Sequence, residues 1–140
     1  MNARLLGSIV GISFLLNLVW ENAQAPLYTG YQNFLQHFWI CFKATLGDVF
    51  IVLIMYSAIA LLTKDQLWIQ HLNSNTITVS VLMGIGLALI IEGWALATGR
   101  WSYDGMPLIP FGGVGFLPVL QMAVLPLLTF HLTNKMVRHI

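Results

Sequence analysis

The chain has 140 residues, 58% of them hydrophobic and only 8% charged, with a mean hydropathy of +0.80. Soluble domains average about 25% charged residues, so this composition excludes a water-soluble globule of the same size. Six Lys and Arg against five Asp and Glu give a net charge of +1, which offers no electrostatic footprint for nucleic acid. Cys41 is the only cysteine, so an internal disulfide and a Cys-based metal cluster are both excluded.

Four apolar stretches approach the ~20 residues needed to cross a bilayer core. The first is predicted over residues 5–22, with Ser13 and Asn17 its clearly polar interior positions. It has one preceding Arg and no small-x-small cleavage site before Glu21, and so reads as a retained helix rather than a signal peptide. Residues 23–38 follow as a long aromatic connection without Lys or Arg, suited to the membrane interface. The second helix is predicted over 40–63, then a polar loop over 64–76. The third spans 77–98 and contains Gly84 and Gly86, which permit a close neighbour. Residues 99–113, rich in Gly, Pro and aromatics, read as an ordered re-entrant or interfacial loop. The fourth helix spans 114–133 and carries Pro118 and Pro126, which predict a kink. The expected fold is an all-α, polytopic transmembrane four-helix bundle in a single domain, residues 1–140.

With four spans, the N-terminus, the second loop and the C-terminus share a side. They hold Arg4, Lys64, Lys135 and Arg138, against Lys43 and Arg100 on the other. The positive-inside rule then places both termini in the cytoplasm, and the expected location is the bacterial inner membrane.

The acidic residues are distributed unevenly under this topology. Glu21, Asp48 and Glu92 fall in the outer parts of three helices, and Asp104 in the outer loop. Counted at about 1.5 Å per residue, Asp48, Glu92 and Gln121 lie roughly 8–12 Å below the outer helix ends. Asn22, Gln24, Lys43, Arg100, Trp101 and Tyr103 cluster around them. A carboxylate facing hydrocarbon costs several kcal/mol unless paired, protonated or hydrated. The economical arrangement turns Glu21, Asp48 and Glu92 inward around one polar cavity, with Lys43 and Arg100 as counter-charges and an apolar plug beneath. Plainer readings stand beside this one. Asp48 lies five residues after Lys43 and has a simple pairing role open to it; Glu21 lies near enough to the surface to be solvated; Gln121 also suits interhelical hydrogen bonding. Glu92, after 26 residues without Asp, Glu, Lys or Arg, most strongly points to function.

Other chemistries find less support. His37, His71, His131 and His139 lack metal-ligand spacing, Ser57, Ser80 and Ser102 have no neighbouring His, and Gly112-Gly113-Val114-Gly115 reads as turn chemistry. No metal and no cofactor is expected. The five tryptophans are read mainly as interfacial belt residues, with Trp94 and Trp101 as alternatives for a pocket wall beside Glu92.

The run over residues 92–118 holds an intramembrane Glu92, Thr98-Gly99 at a helix end, Tyr103, and Pro107-Leu108-Ile109-Pro110 leading to the next helix. It resembles a block in membrane carotenoid hydratases and is similar to the related membrane lycopene cyclases. In those families acidic residues protonate a double bond of a polyene. The resemblance implies Glu92 as the acid with Tyr103 positioned nearby. Those enzymes generally have more spans, which implies an oligomer or a second subunit here. Their paired Pro-x-Glu-Glu is absent, Gln121 standing after Pro118. The segment from Trp20 through Glu21-Asn22-Ala23-Gln24-Ala25-Pro26-Leu27 to Tyr28 has the character of a motif of its own.

The leading functional expectation is acid–base chemistry on an isoprenoid or lipid, a cyclase, isomerase or hydratase. Glu92, Asp48 and Glu21 are the candidate catalytic groups. Trp94, Trp101, Tyr103, Gln121, Asn22 and Arg100 are the candidate substrate-binding residues. Expected partners are membrane lipids, a hydrophobic small molecule, and either further copies of the chain or a larger membrane subunit. The rival class is a non-enzymatic accessory or assembly subunit whose buried polar groups pair with that larger partner. A proton-coupled carrier ranks last, since only Asn17, Tyr56 and Ser80 offer a start for a polar route to the cytoplasm.

Overall fold

The computed structural model describes residues 3–138, which leaves His139 outside the described residues. It is an all-α bundle of four helices: α1 (Ala3–Gln24), α2 (Phe34–Thr63), α3 (Ser74–Ala97) and α4 (Phe116–Arg138). All four are long and apolar enough to cross a membrane, and the chain is an integral membrane protein. α1 packs against α2 and α4, and α4 against α3, while α2 and α3 touch far less than these three pairs. Arg138 donates to the Gln70 carbonyl, so the C-terminus and the α2–α3 connection lie at one end. We call it the terminal end; the opposite end is the site end.

Local signals set the helix boundaries. The Asn33 side chain accepts from the Gln36 N–H at 3.0 Å and opens α2 six residues before the expected start. The connection after α1 is correspondingly shorter than residues 23–38, because an N-cap satisfies a donor that the first turn leaves free. Asn73 opens α3 with a capping box: its Oδ1 accepts from the Asn75 and Thr76 N–H groups, each at 3.0 Å, and Thr76 Oγ1 accepts from the Asn73 N–H at 3.1 Å. Pro118 falls in the first turn of α4, where no intrahelical donor is required.

Pro126 lies inside α4 and has no N–H for the Met122 carbonyl one turn earlier. That carbonyl is turned against α3 at Gly84, where a methyl group would stand 1.9 Å from its oxygen. The two backbones touch because Gly84 has no side chain, the small-residue contact typical of membrane helices. Gly86 has no neighbour within 4 Å at the corresponding position and plays no such part.

The terminal half is packed. Leu5 and Ile9 of α1, Val52, Met55, Tyr56 and Ile59 of α2, and Phe130 of α4 form one buried cluster with Trp68 and Ile69. Trp68 and Ile69 come from the connection expected to be a polar loop. A 3-10 turn over Trp68–His71 folds them under the bundle, and the Trp68 indole N–H donates to the Tyr56 carbonyl at 3.2 Å. Trp68 is therefore a core residue and not part of an interfacial belt. This half is not pure hydrocarbon, however: Ser80, Thr129 and Thr133 are fully buried, with hydroxyls that have no hydrogen-bond partner among the described residues.

At the site end the two connections are tied together. Tyr28 pairs with Tyr103 as an antiparallel bridge, Thr29 donates to the Ser102 carbonyl at 3.0 Å, and Asp104 donates to that of Leu27 at 2.8 Å. The second connection then folds back through a Leu108–Gly115 bridge to begin α4.

Candidate functional site: a cavity lined by three carboxyl groups

The buried face of α1 advances by one turn at a time through Leu5, Ile9, Ser13 and Asn17, and Gln24 continues it. It is apolar over the terminal half and polar over the site half. The same face therefore helps to build the apolar plug and, further along, a polar network. Residues four apart share a helix face, so this spacing fixes where the polarity emerges.

Gln121 of α4 stands at the centre of that network. Its Nε2 donates to Asn17 Oδ1 at 3.0 Å, Glu21 Oε1 at 2.9 Å and Asp48 Oδ2 at 3.0 Å. Its Oε1 accepts from Gln24 Nε2 at 3.0 Å, which also donates to Glu21 Oε1 at 3.0 Å. Gln24 Oε1 in turn accepts from the Trp20 indole at 3.1 Å, and Asn17 Nδ2 donates to the Ser13 carbonyl at 2.9 Å. One amide thus joins α1, α2 and α4. Primary amides have two N–H groups, and here they serve three oxygens.

Glu92 is held separately. It is 7% exposed, and its Oε2 accepts from the Trp101 indole N–H at 3.1 Å and from the Tyr103 hydroxyl. The Tyr103 oxygen accepts from the Gly115 N–H at 3.0 Å. A side chain at Gly115 would stand 3.0 Å from that oxygen, so the glycine lets the start of α4 reach the phenol. No hydrogen bond reaches Glu92 Oε1 among the described residues.

Glu21, Asp48 and Glu92 all line one cavity of about 320 Å³, with Gln24, Tyr28, His37, Cys41, Trp101, Pro118 and Gln121 also in its wall. None of the three acids forms an ion pair among the described residues. The expected counter-charges are elsewhere: Lys43 is exposed, and the exposed Arg100 lies over the Trp94 ring at 5.1 Å. Long cationic side chains favour solvent or headgroups to burial, and the acids are served by amides, an indole and a phenol instead. Trp94 is half exposed and, like Arg100 and Asn22, does not line the cavity. Asn22 donates to the Leu18 carbonyl of its own helix at 2.8 Å. Among the described residues no three His, Cys, Asp or Glu side chains are grouped to hold a metal ion.

Tyr28, Gln24 and Asn17 complete the site beyond the residues given a catalytic or substrate-binding role from sequence. The signal for Asn17 and Gln24 was present as the four- and seven-residue spacing about Glu21 and Asn17 on α1. Tyr28 carried none, because its place depends on the bridge to Tyr103.

Burial pushes the Tyr103 phenol above the ordinary tyrosine value, and its bond to Glu92 adds to the effect; burial first and nearby acidic groups second do the same for Tyr28. Both are neutral hydroxyls around neutral pH. Because folding raises these values, the associated stability is present below about pH 10, the ordinary tyrosine range, and is lost as pH rises beyond it. In an alkaline absorbance titration, a Tyr28→Phe, Tyr103→Phe double variant should lose only the tyrosinate signal that appears last. Loss of an early component would contradict the burial of these phenols.

A scan against protein-family models found no matching family, and searches of curated proteins and of solved structures returned no match.

Proposed function

We propose that this protein is a membrane enzyme that protonates a carbon–carbon double bond of an isoprenoid or other lipid, with Glu92 as the acid. The observation that carries this reading is the asymmetry of the Glu92 carboxyl. Oε2 is held by Trp101 and Tyr103, while Oε1 has no hydrogen-bond partner among the described residues and Glu92 lines the cavity. A carboxylic acid fixed in this way presents its proton on the free oxygen, toward whatever occupies the cavity. The resemblance of residues 92–118 to carotenoid hydratases points to the same residue.

In the proposed reaction the alkene π pair takes the Glu92 proton, forming a C–H bond and leaving a cation on the adjacent carbon and a carboxylate on Glu92. The faces of Trp101 and Tyr28, whose rings meet edge to face at 6.5 Å, suit stabilisation of that cation. The cation is quenched by losing a neighbouring proton, which yields an isomer; by attack of a second double bond of the same molecule followed by proton loss, which yields a ring; or by adding water, whose surplus proton is then lost. Asp48 and Glu21, joined through Gln121, are the proposed acceptors of that proton. The basic residues at the terminal end support an orientation in which both termini are cytoplasmic and the cavity serves the outer leaflet of a bacterial inner membrane.

The test is mass spectrometry of hydrophobic molecules that co-purify with the wild type and with Glu92→Gln. A discrete isoprenoid or lipid that changes in identity or amount in the variant, with the helical fold retained, is the expected result. Turnover of that molecule should fall by about 10²–10⁴-fold, the usual contribution of a general acid. Unchanged turnover in Glu92→Gln overturns the assignment. Bulk lipid alone, together with a stoichiometric protein partner, would favour the accessory-subunit reading.

A further inference from the structure

The wall of the cavity is not closed on all sides. On α2 it is made by Ile40, Cys41, Ala44, Gly47, Asp48 and Ile51, and of these Ile40, Ala44 and Gly47 are exposed rather than covered by the rest of the bundle. The facing wall on α3 is Ala88, Ile91 and Glu92. These two helices touch each other far less than the other neighbouring pairs of the bundle, α1 with α2, α1 with α4 and α3 with α4. Ala44 and Gly47 are three residues apart and form a notch of small side chains on one helix face. A methyl group at Gly47 would meet nothing within 4 Å.

Depth decides what lies outside this notch. Gly47 is thirteen residues from the start of α2 at Phe34, about 20 Å at 1.5 Å per residue, and sixteen from its end at Thr63. A helix position that far from both ends lies within a hydrocarbon core about 30 Å thick. Its open side therefore faces lipid tails and not water. The cavity volume is also at the small end of the range for ligand sites, ~300–1,000 Å³, enough for the reacting end of a long molecule but not for the whole of it.

We propose that the substrate is a long-chain membrane lipid that reaches the site sideways, through the gap between α2 and α3 at Ala44 and Gly47. Its unsaturated end enters the cavity toward Glu92 while the rest of its hydrocarbon stays in the bilayer. This rests on the acid–base reading for the identity of the reacting end, and adds to it the route and the overall shape of the substrate.

Cys41, the only thiol of the chain and part of the cavity wall, reports the route without any turnover. In lipid nanodiscs, its modification by the lipid-soluble reagent pyrenylmaleimide is compared with that by a charged, water-soluble methanethiosulfonate. The lipid-soluble reagent should react about tenfold faster or more, because thiol modification follows access. Gly47→Phe should slow that reaction by about tenfold while leaving the charged reagent unaffected, since a bulky side chain fills the notch. Gly47→Ala is the control and should behave as wild type, and Ala44→Phe is the second variant should Gly47→Phe not fold. Faster reaction with the charged reagent, no effect of either Phe variant, or no modification by either reagent would each overturn the sideways route. Failure of Glu92→Gln to alter turnover would leave this measurement intact, so the two proposals fall separately.

Discussion

Gly84→Ala should lower the thermal midpoint by about 10 °C or more, a loss on the order of 3 kcal/mol. The added methyl would stand 1.9 Å from the Met122 carbonyl oxygen. Overpacking costs are modest when a flexible side chain can move aside, and larger when the obstacle is backbone. Here the obstacle is a backbone carbonyl within a helix, so α3 and α4 must separate. Separation would also disturb the seat of Gln121, one residue before Met122. The comparison is Gly86→Ala, two residues away on α3 with nothing within 4 Å. That change should be neutral or slightly stabilising, since Ala has the better helix propensity. Thermal unfolding of the two variants in the same detergent checks the pair, and equal midpoints would remove the contact from the account of stability.

Gln121→Leu should be comparably damaging, by about 3–5 kcal/mol, for the opposite reason. The volume is roughly kept, but Asn17, Glu21 and Asp48 lose their shared donor, and Gln24 loses an acceptor. Polar groups left buried without partners cost their full desolvation, and carboxyl groups cost most. Adding Asn17→Leu to this variant should cost less than the two single changes summed, because one partner has already been lost. Strict additivity would mean that the amide joins these helices only in appearance.

The spans were legible because apolar runs of bilayer length leave few alternatives, and the acids because a charge in such a run is costly. Rotation of the helices was less so. α2 and α3 are apolar nearly all round, and a helix without a polar stripe gives no face from its periodicity. Only the polar residues carried that information. Ser13, Asn17, Glu21 and Gln24 repeat at helical spacing and mark the inner face of α1, which now places Glu21 and Gln24 in the network. Trp94 and Trp101 looked equivalent beside Glu92, yet they are separated by the turn that ends α3: Trp94 points outward, whereas Trp101 returns over the carboxyl. Trp68 looked interfacial because it sits among polar residues, and only the 3-10 turn brings it under Phe130, with ring centroids 5.0 Å apart.

The helices also differ in length. α2 has 30 residues and α3 has 24, a difference of about 9 Å at 1.5 Å per residue. A slab of fixed thickness accommodates its longest helix by tilt, at a modest cost for each ångström of mismatch. A long helix that tilts beside a shorter neighbour would widen the space between them, and on α2 the notch at Ala44 and Gly47 lies in the cavity wall that faces α3. The thickness of the host membrane, set by its acyl chains, would then be a physical control on how wide that space stands.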